Sequence, residues 1–115
     1  MDLSVPVMSI YVRDLEEALG FYCGTLGFAV KQRYGACIAT LDNAGAMIVL
    51  EEIEDGKEPR VVPAIAVADV RAECARLAAA GATLLTPEPH PFPAGTMISI
   101  LDTSGNQLDI VQFGG

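Results

Sequence analysis

The sequence contains one strand-turn-strand pattern twice. The segment "LDNAGAMIVLE" begins at Leu41, and the segment "LDTSGNQLDIV" begins sixty residues later at Leu101. Each starts with Leu-Asp, carries a glycine three residues after the aspartate and continues into an apolar run, which is typical of two strands joined by a short turn. A repeat at about half the length of a 115-residue chain predicts a fold built from two copies of one module.

The predicted elements also occur twice in nearly the same order. In the first half, hydrophobic periodicity indicates a strand, a helix and three more strands, in the segments "VMSIYV", "RDLEEALGFYCGTLG", "FAVKQRY", "ACIATLD" and "AMIVLEEI". The second half indicates a strand, a helix, a strand, a proline-rich loop and two strands, in the segments "VVPAIAV", "DVRAECARLAAAG", "ATLLT", "PEPHPFPAG", "TMISILD" and "NQLDIVQF". Asp14, the expected N-cap of the first helix, matches Asp69 before the second helix. We therefore predict an α+β fold, a single domain made of tandem βαβββ modules at about residues 1–56 and 57–115.

Charge and composition restrict the partners. Seven basic against fifteen acidic residues give a net charge of −8, and so acidic a chain is a poor partner for nucleic acid. No apolar run approaches the roughly 20 residues of a membrane span, and Asp2 stands where a secretory signal carries basic residues. We therefore expect a cytoplasmic protein that binds neither nucleic acid nor membranes. The three cysteines lack CxxC spacing and are expected to be small core residues.

The chain resembles the vicinal oxygen chelate superfamily, which includes glyoxalase I, bleomycin-resistance proteins and extradiol dioxygenases. The resemblance covers essentially the whole chain and is most specific in "YVRDLEEALGFYCGTLGF" and "LDTSGNQLDIVQF". The second segment is similar to the family's Asp-Pro-Asp-Gly-Asn ending, with Thr103 and Ser104 in place of Pro and Asp. The resemblance implies the glyoxalase/bleomycin-resistance/dioxygenase fold, in which mixed sheets form a trough. Because the family includes lyases, dioxygenases, epimerases, thiol transferases and drug-binding proteins without activity, it does not specify a reaction.

The resemblance also implies where a metal would lie. In the metal-dependent relatives, the first strand and the last strand of each module supply one ligand each. In this chain those four positions are Val7, Val62, Val49 and Asp109. A divalent ion needs three or more oxygen or nitrogen donors, and three valines supply none, so we predict neither a metal nor another cofactor. His90, in the proline-rich loop, would complete a ligand set with Asp109 and Glu51 only if that loop folded inward.

The candidate binding surface follows from the period of two along each strand. It is mostly apolar, with a phenol from Tyr11 and carboxylates from Glu51 and Asp109, which suits an organic molecule with an apolar body and a positive group. The candidate ligand-binding residues are Val7, Ser9, Tyr11, Met47, Val49, Glu51, Val62, Asp109 and Val111. The alternatives are core packing for the valines, a hydrogen-bonded structural carboxylate for Asp109 and an exposed position for Glu51.

The missing metal donors and the acidity favour binding over catalysis. We predict a metal-free protein, similar to the bleomycin-resistance branch, that binds an apolar or cationic small organic molecule in a trough. Sequestration of an antibiotic is one role for such a protein, and a homodimer is expected to complete the trough. The alternative is a metal-dependent lyase or oxidoreductase of the glyoxalase or dioxygenase type. A third possibility is an interaction protein whose trough packs against a partner. The sequence identifies no catalytic residue.

Overall fold

The computed structural model describes residues 3–114. Asp2, where a secretory signal carries basic residues, lies outside this range. Residue contacts divide the described chain into two units: the first unit is residues 6–62, and the second is residues 63–114 together with 3–5. The division falls after Val62, inside a strand.

The first unit follows the predicted βαβββ order. Its elements are β1 (Ser4–Val12), helix α1 (Leu15–Leu19), a π-helical segment (Gly20–Thr25), β2 (Val30–Tyr34), β3 (Ile38–Leu41) and β4 (Met47–Glu52). The strand order is β2-β3-β4-β1, with β1 and β4 parallel and the other pairs antiparallel. The sequence predicted one continuous helix over residues 13–27. The second half of that stretch is instead π-helical, with the Leu26 amide donating to the Phe21 carbonyl at 2.9 Å.

Helix α1 covers one face of this sheet. The buried core consists of Leu15, Leu19, Ala39, Leu41 and Leu50, and Ile10 and Ile48 pack against it. Because side chains alternate along a strand, even-numbered residues of β1 and β4 lie on the helix side and odd-numbered residues lie on the other side. We call that other side the helix-free face of the first unit.

The second unit contains one more strand than predicted. Its elements are β5 (Arg60–Ala66), whose first three residues belong to the first unit, α2 (Val70–Ala79), β6 (Thr83–Leu84), β7 (His90–Phe92), β8 (Gly95–Leu101) and β9 (Gln107–Phe113). The strand order is β5-β9-β8-β6, and β7 also pairs with β8. The prediction of a continuous loop over residues 87–95 is therefore wrong at His90, which pairs with Met97. Pro91 lies in the middle of β7, where its missing N–H is tolerated in a short outer strand.

Helix α2 covers one face of the second sheet. The core there is Val70, Cys74, Ile98, Ile100 and Ile110. Odd-numbered residues of β8 and β9 therefore form the helix-free face of the second unit. The expectation for the cysteines is correct for Cys74, which is buried, and wrong for Cys37, which is exposed in the turn before β3. None of the helices within residues 3–114 has the length and apolar character that a membrane crossing requires.

The two repeated turns occupy equivalent places and differ in detail. Residues 42–46 join β3 to β4, and residues 102–106 join β8 to β9. In the second turn Asp102 Oδ1 accepts from the amides of Ser104 and Asn106, and Gly105 adopts a positive φ of 89°. The Asn106 side chain donates to Asp102 Oδ2 at 3.0 Å and, with these amides, lowers the pKa of the Asp102 carboxyl.

The last strand of each unit anchors the start of its helix. Glu52 Oε2 accepts from the Leu15 amide at 2.8 Å, and Gln112 Oε1 accepts from the Val70 amide at 2.9 Å. Glu52 and Gln112 are equivalent in the repeat. Asp14 adds the expected N-cap by accepting from the Glu17 amide at 2.9 Å. Each helix is therefore fixed both by its own cap and by a side chain from the sheet.

The duplicated anchor leads to a prediction for Glu52. Glu52→Gln should change the free energy of unfolding by less than about 1 kcal/mol, because the second unit makes the same contact with a glutamine. Glu52→Leu should cost about 1–3 kcal/mol, because the amide of the fully buried Leu15 loses its acceptor. Urea denaturation of both variants measures the difference, and equal stabilities would contradict the anchoring role.

Candidate functional site

Three pairs of candidate residues lie side by side on the helix-free face of the first unit. In the parallel register of β1 and β4 these pairs are Val7 with Met47, Ser9 with Val49, and Tyr11 with Glu51. Five of the six residues are half-buried, and Met47 is 38% exposed. The register therefore produces an apolar strip that ends at a phenol and a carboxylate. Strand periodicity grouped these residues correctly on one face, and the pairing between strands brings them into contact.

Strand β3 adds two residues that the sequence analysis missed. Thr40 lies opposite Val49, and Ile38 lies opposite Glu51. Thr40 is buried, and its hydroxyl donates to the Gln32 carbonyl at 3.4 Å. Their position on the same face follows from the antiparallel pairing of β3 with β4, which the period of a single strand does not reveal.

The guanidinium of Arg60 lies over the ring of Tyr11. The guanidinium carbon of Arg60 lies 4.0 Å from the centroid of the Tyr11 ring, which is the geometry of a cation–π contact. Arg60 was not among the predicted site residues, because no local periodicity relates two positions so far apart. One face of the Tyr11 ring is therefore already occupied by a positive charge.

Asp109 is a buried carboxylate on the helix-free face of the second unit. It is 7% exposed, and its Oδ1 accepts from the Ser99 hydroxyl at 2.7 Å and from Gln107 Nε2 at 3.2 Å. Ser99, itself 8% exposed, is the partner of Asp109 in the antiparallel β8–β9 pairing. Within residues 3–114 no buried side-chain nitrogen or oxygen lacks a hydrogen-bond partner. Oδ2, which accepts neither bond, is therefore in contact with solvent.

Val62 and Val111 are the most enclosed of the predicted site residues. Val62 is 1% exposed and Val111 is 4% exposed. Their side chains are packed against protein atoms, and a role in ligand contact stays a prediction for both.

The four positions that correspond to metal ligands in the family do not fit a metal. Val49 pairs with Ser9, which follows Val7 by two residues. Asp109 pairs with Ala64, which follows Val62 by two residues. The positions are thus equivalent in the sequence repeat, yet the three valines have hydrocarbon side chains without a donor atom. Across residues 3–114 there is also no group of three or more His, Cys, Asp or Glu residues placed to hold a metal ion.

The donor set leads to a prediction about metal content. Protein purified without chelator should contain well under one equivalent of divalent metal per chain, because Asp109 alone cannot hold such an ion tightly. Elemental analysis measures this directly. Stoichiometric zinc, nickel, manganese or iron would contradict the prediction.

Comparison with known proteins establishes the family. Residues 4–110 match the model of the Glyoxalase/Bleomycin resistance protein/Dioxygenase superfamily. The uncharacterized protein YurT of Bacillus subtilis strain 168 is 33% identical over 127 residues, an alignment that covers 96% of this chain and 99% of YurT. The chain belongs to the glyoxalase/bleomycin resistance protein/dioxygenase superfamily, as the sequence motifs predicted.

Solved structures agree with the predicted fold. Hypothetical protein BH1468 from Bacillus halodurans C-125 superposes with a TM-score of 0.82 at 16% identity, covering 100% of this chain and 97% of that one. Methylmalonyl-CoA epimerase from Mycobacterium tuberculosis superposes with a TM-score of 0.74 at 23% identity, covering 96% of this chain and 88% of the epimerase. At these identities the likeness concerns the fold, and the α+β glyoxalase-type prediction is confirmed.

Proposed function

We propose that this protein binds a small organic molecule on the helix-free face of its first unit, without a metal ion. The observation that carries the proposal is the parallel register that places Val7, Ser9 and Val49 beside one another on a face that α1 does not cover. Such a strip offers apolar contact area and few polar groups, which is the usual composition of a small-molecule site.

The polar groups at the edge of the strip restrict how a ligand is held. An apolar body packs on Val7, Met47 and Val49. A cationic group is attracted to the Glu51 carboxylate rather than to the ring of Tyr11, because the Arg60 guanidinium already lies over that ring. Asp109, with one carboxylate oxygen in contact with solvent, is the corresponding acceptor on the helix-free face of the second unit.

A ligand screen with matched variants tests the proposal. Apolar, cationic and anionic organic molecules, antibiotics included, are ranked by the rise in melting temperature that they cause. Val49→Thr exchanges a methyl for a hydroxyl in the strip and should weaken the best ligand about fivefold. Val61→Thr makes the same exchange outside the strip, where Val61 is 54% exposed, and should leave affinity unchanged. A screen without any stabilising compound, or equal losses in the two variants, would contradict the proposal.

Sequestration of an antibiotic in the cytoplasm is one role for such a site. Binding alone protects a cell when it lowers the concentration of unbound drug, so no reaction is required. Expression of the chain in a susceptible bacterium should then raise the inhibitory concentration of an antibiotic that stabilises the purified protein. Expression of the Val49→Thr variant should protect less.

We also propose that the chain forms a homodimer. Strand β2 ends the strand order of the first unit, and all five of its residues are exposed, including Val30 and Tyr34. An outer strand with exposed apolar side chains is a site for pairing with a second chain. Light scattering at micromolar concentration should give twice the mass of the 12.1 kDa chain. A monomer mass would count against it.

A further inference from the structure

We propose that the first unit has a second ligand site, a groove at the junction of β1 and α1 that binds a planar aromatic molecule carrying a carboxylate. The groove has a volume of about 610 Å³ and lies between the end of β1, the exposed side of the helical segment and residues 59–61. It is distinct from the apolar strip on the helix-free face, although Tyr11 borders both. The inference does not depend on the function proposed for the strip.

Aromatic side chains on the helical segment supply the apolar wall. Phe21 is 52% exposed, and its ring meets the ring of Tyr22 edge-on, with the centroids 5.5 Å apart. Both residues line the groove. An exposed phenylalanine ring in edge-on contact with a second ring offers an apolar surface on which a planar molecule can stack.

Arg60 supplies a positive charge in the lining of the groove. The Tyr11 ring holds its guanidinium in place, and Nη1 donates to the Glu58 carbonyl at 3.4 Å. The ion pairs that the structure shows within residues 3–114 belong to Arg13, Arg33 and Arg76. Arg60 therefore has no carboxylate partner in that part of the chain, although acidic residues outnumber basic ones fifteen to seven. A positioned guanidinium with unused donors is suited to bidentate binding of a carboxylate.

The other charged residues that line the groove change its affinity for a carboxylate without reversing the preference for an anion. Arg13 lies beside Arg60 in the lining and pairs with Glu58 at 3.4 Å, but both side chains are largely exposed, so the pair is weak and open to exchange with a ligand carboxylate. Asp14 is engaged as the cap of α1. Glu17 also lines the groove, and its carboxylate makes no cap of this kind in the described chain, so it is expected to lower the affinity for an anion.

The internal repeat shows that the strand-to-helix junction can form without an aromatic or basic residue at the positions of Tyr11 and Arg13. A groove of about 510 Å³ lies at the corresponding junction of β5 and α2. The positions equivalent to Tyr11 and Arg13 are Ala66 and Ala68 there, and both alanines line that groove. The same strand-to-helix junction is thus built with alanine in one unit and with an aromatic and a basic residue in the other. The groove of the first unit therefore has ligand chemistry that the fold itself does not demand.

Titration with 2-naphthoate tests the inference. The chain contains no tryptophan, so the fluorescence anisotropy of the probe is measured on the full-length protein without that interference. Arg60→Ala and Phe21→Ala should each weaken binding about tenfold, since each removes one half of the recognition. Arg60→Lys keeps the charge and loses the bidentate geometry, so its affinity should fall between those of Arg60→Ala and the unaltered chain. The matched control is Arg71→Ala. Arg71 lies on α2 and also lacks an ion pair within residues 3–114, so this variant should bind 2-naphthoate as tightly as the unaltered chain does.

Two further measurements decide the sign of the charge. Glu17→Gln should bind 2-naphthoate more tightly, because it removes a repelling carboxylate. The cation 2-(aminomethyl)naphthalene should bind more weakly than 2-naphthoate, and cyclohexanecarboxylate should compete poorly because it lacks the planar ring.

No binding of 2-naphthoate at millimolar concentration, tighter binding of the cation, or equal affinity in Arg60→Ala and Arg71→Ala would each overturn the inference. Val49→Thr should leave 2-naphthoate affinity unchanged, so failure of this site is distinguishable from failure of the strip.

Discussion

Replacing Leu50 by alanine should lower the free energy of unfolding by about 2–5 kcal/mol, the usual cost of removing a fully buried leucine side chain. Leu50 is 0% exposed and lies on β4, which pairs with β3 on one side and β1 on the other. Its side chain belongs to the cluster that contains Leu15 and Leu41 under α1. Truncation leaves a cavity between sheet and helix, and neighbours held in two sheet pairings have little freedom to collapse into it.

A variant on the opposite face of the same strand provides the control. Met47, also on β4, is 38% exposed on the helix-free face, so Met47→Ala should cost much less than Leu50→Ala. Urea denaturation followed by circular dichroism gives both values. If the two variants lost similar amounts of stability, the assignment of even-numbered residues to the core side of β4 would be wrong.

Replacing Asp109 by asparagine should weaken, about tenfold or more, the binding of a cationic ligand at the helix-free face of the second unit, because a desolvated charge contact contributes on the order of 1.5–3 kcal/mol. The melting temperature should change little. The asparagine carbonyl still accepts from the Ser99 hydroxyl and from Gln107, and the new amide nitrogen takes the place of the oxygen that is in contact with solvent. Affinity and melting temperature, measured on the same preparation, separate the two effects.

A second variant at the same position measures the structural contribution. Asp109→Val installs the residue of the equivalent position, Val49, and leaves the hydroxyl of Ser99, 8% exposed, without its acceptor. It should lower the free energy of unfolding by about 1–3 kcal/mol. Loss of stability in Asp109→Asn with unchanged ligand affinity would mean that Asp109 is structural only. The helix-free face of the second unit would then lose its proposed acceptor for a cationic ligand.

The sequence by itself determined the duplication and the sides of the strands. The spacing of Leu41, Asp42 and Gly45 recurs sixty residues later, and this repeat predicted the strand pairs on either side of each turn. The alternation of side chains placed Val7 and Val49 on a common face. These features depend on a few consecutive residues, whose backbone geometry is local, so they are readable without the fold.

Only the tertiary structure decided which distant side chains meet. Arg60 over Tyr11, Ser99 on Asp109, and the anchoring of the Leu15 amide by Glu52 join residues from different elements. Such contacts depend on the register between strands and on how a helix packs on its sheet, and a pattern of period two or 3.6 contains neither. The sequence therefore predicted the candidate binding residues and the carboxylates of Glu51 and Asp109, whereas the hydrogen-bond partners of Asp109, the position of Arg60 and the groove between β1 and α1 arise from packing.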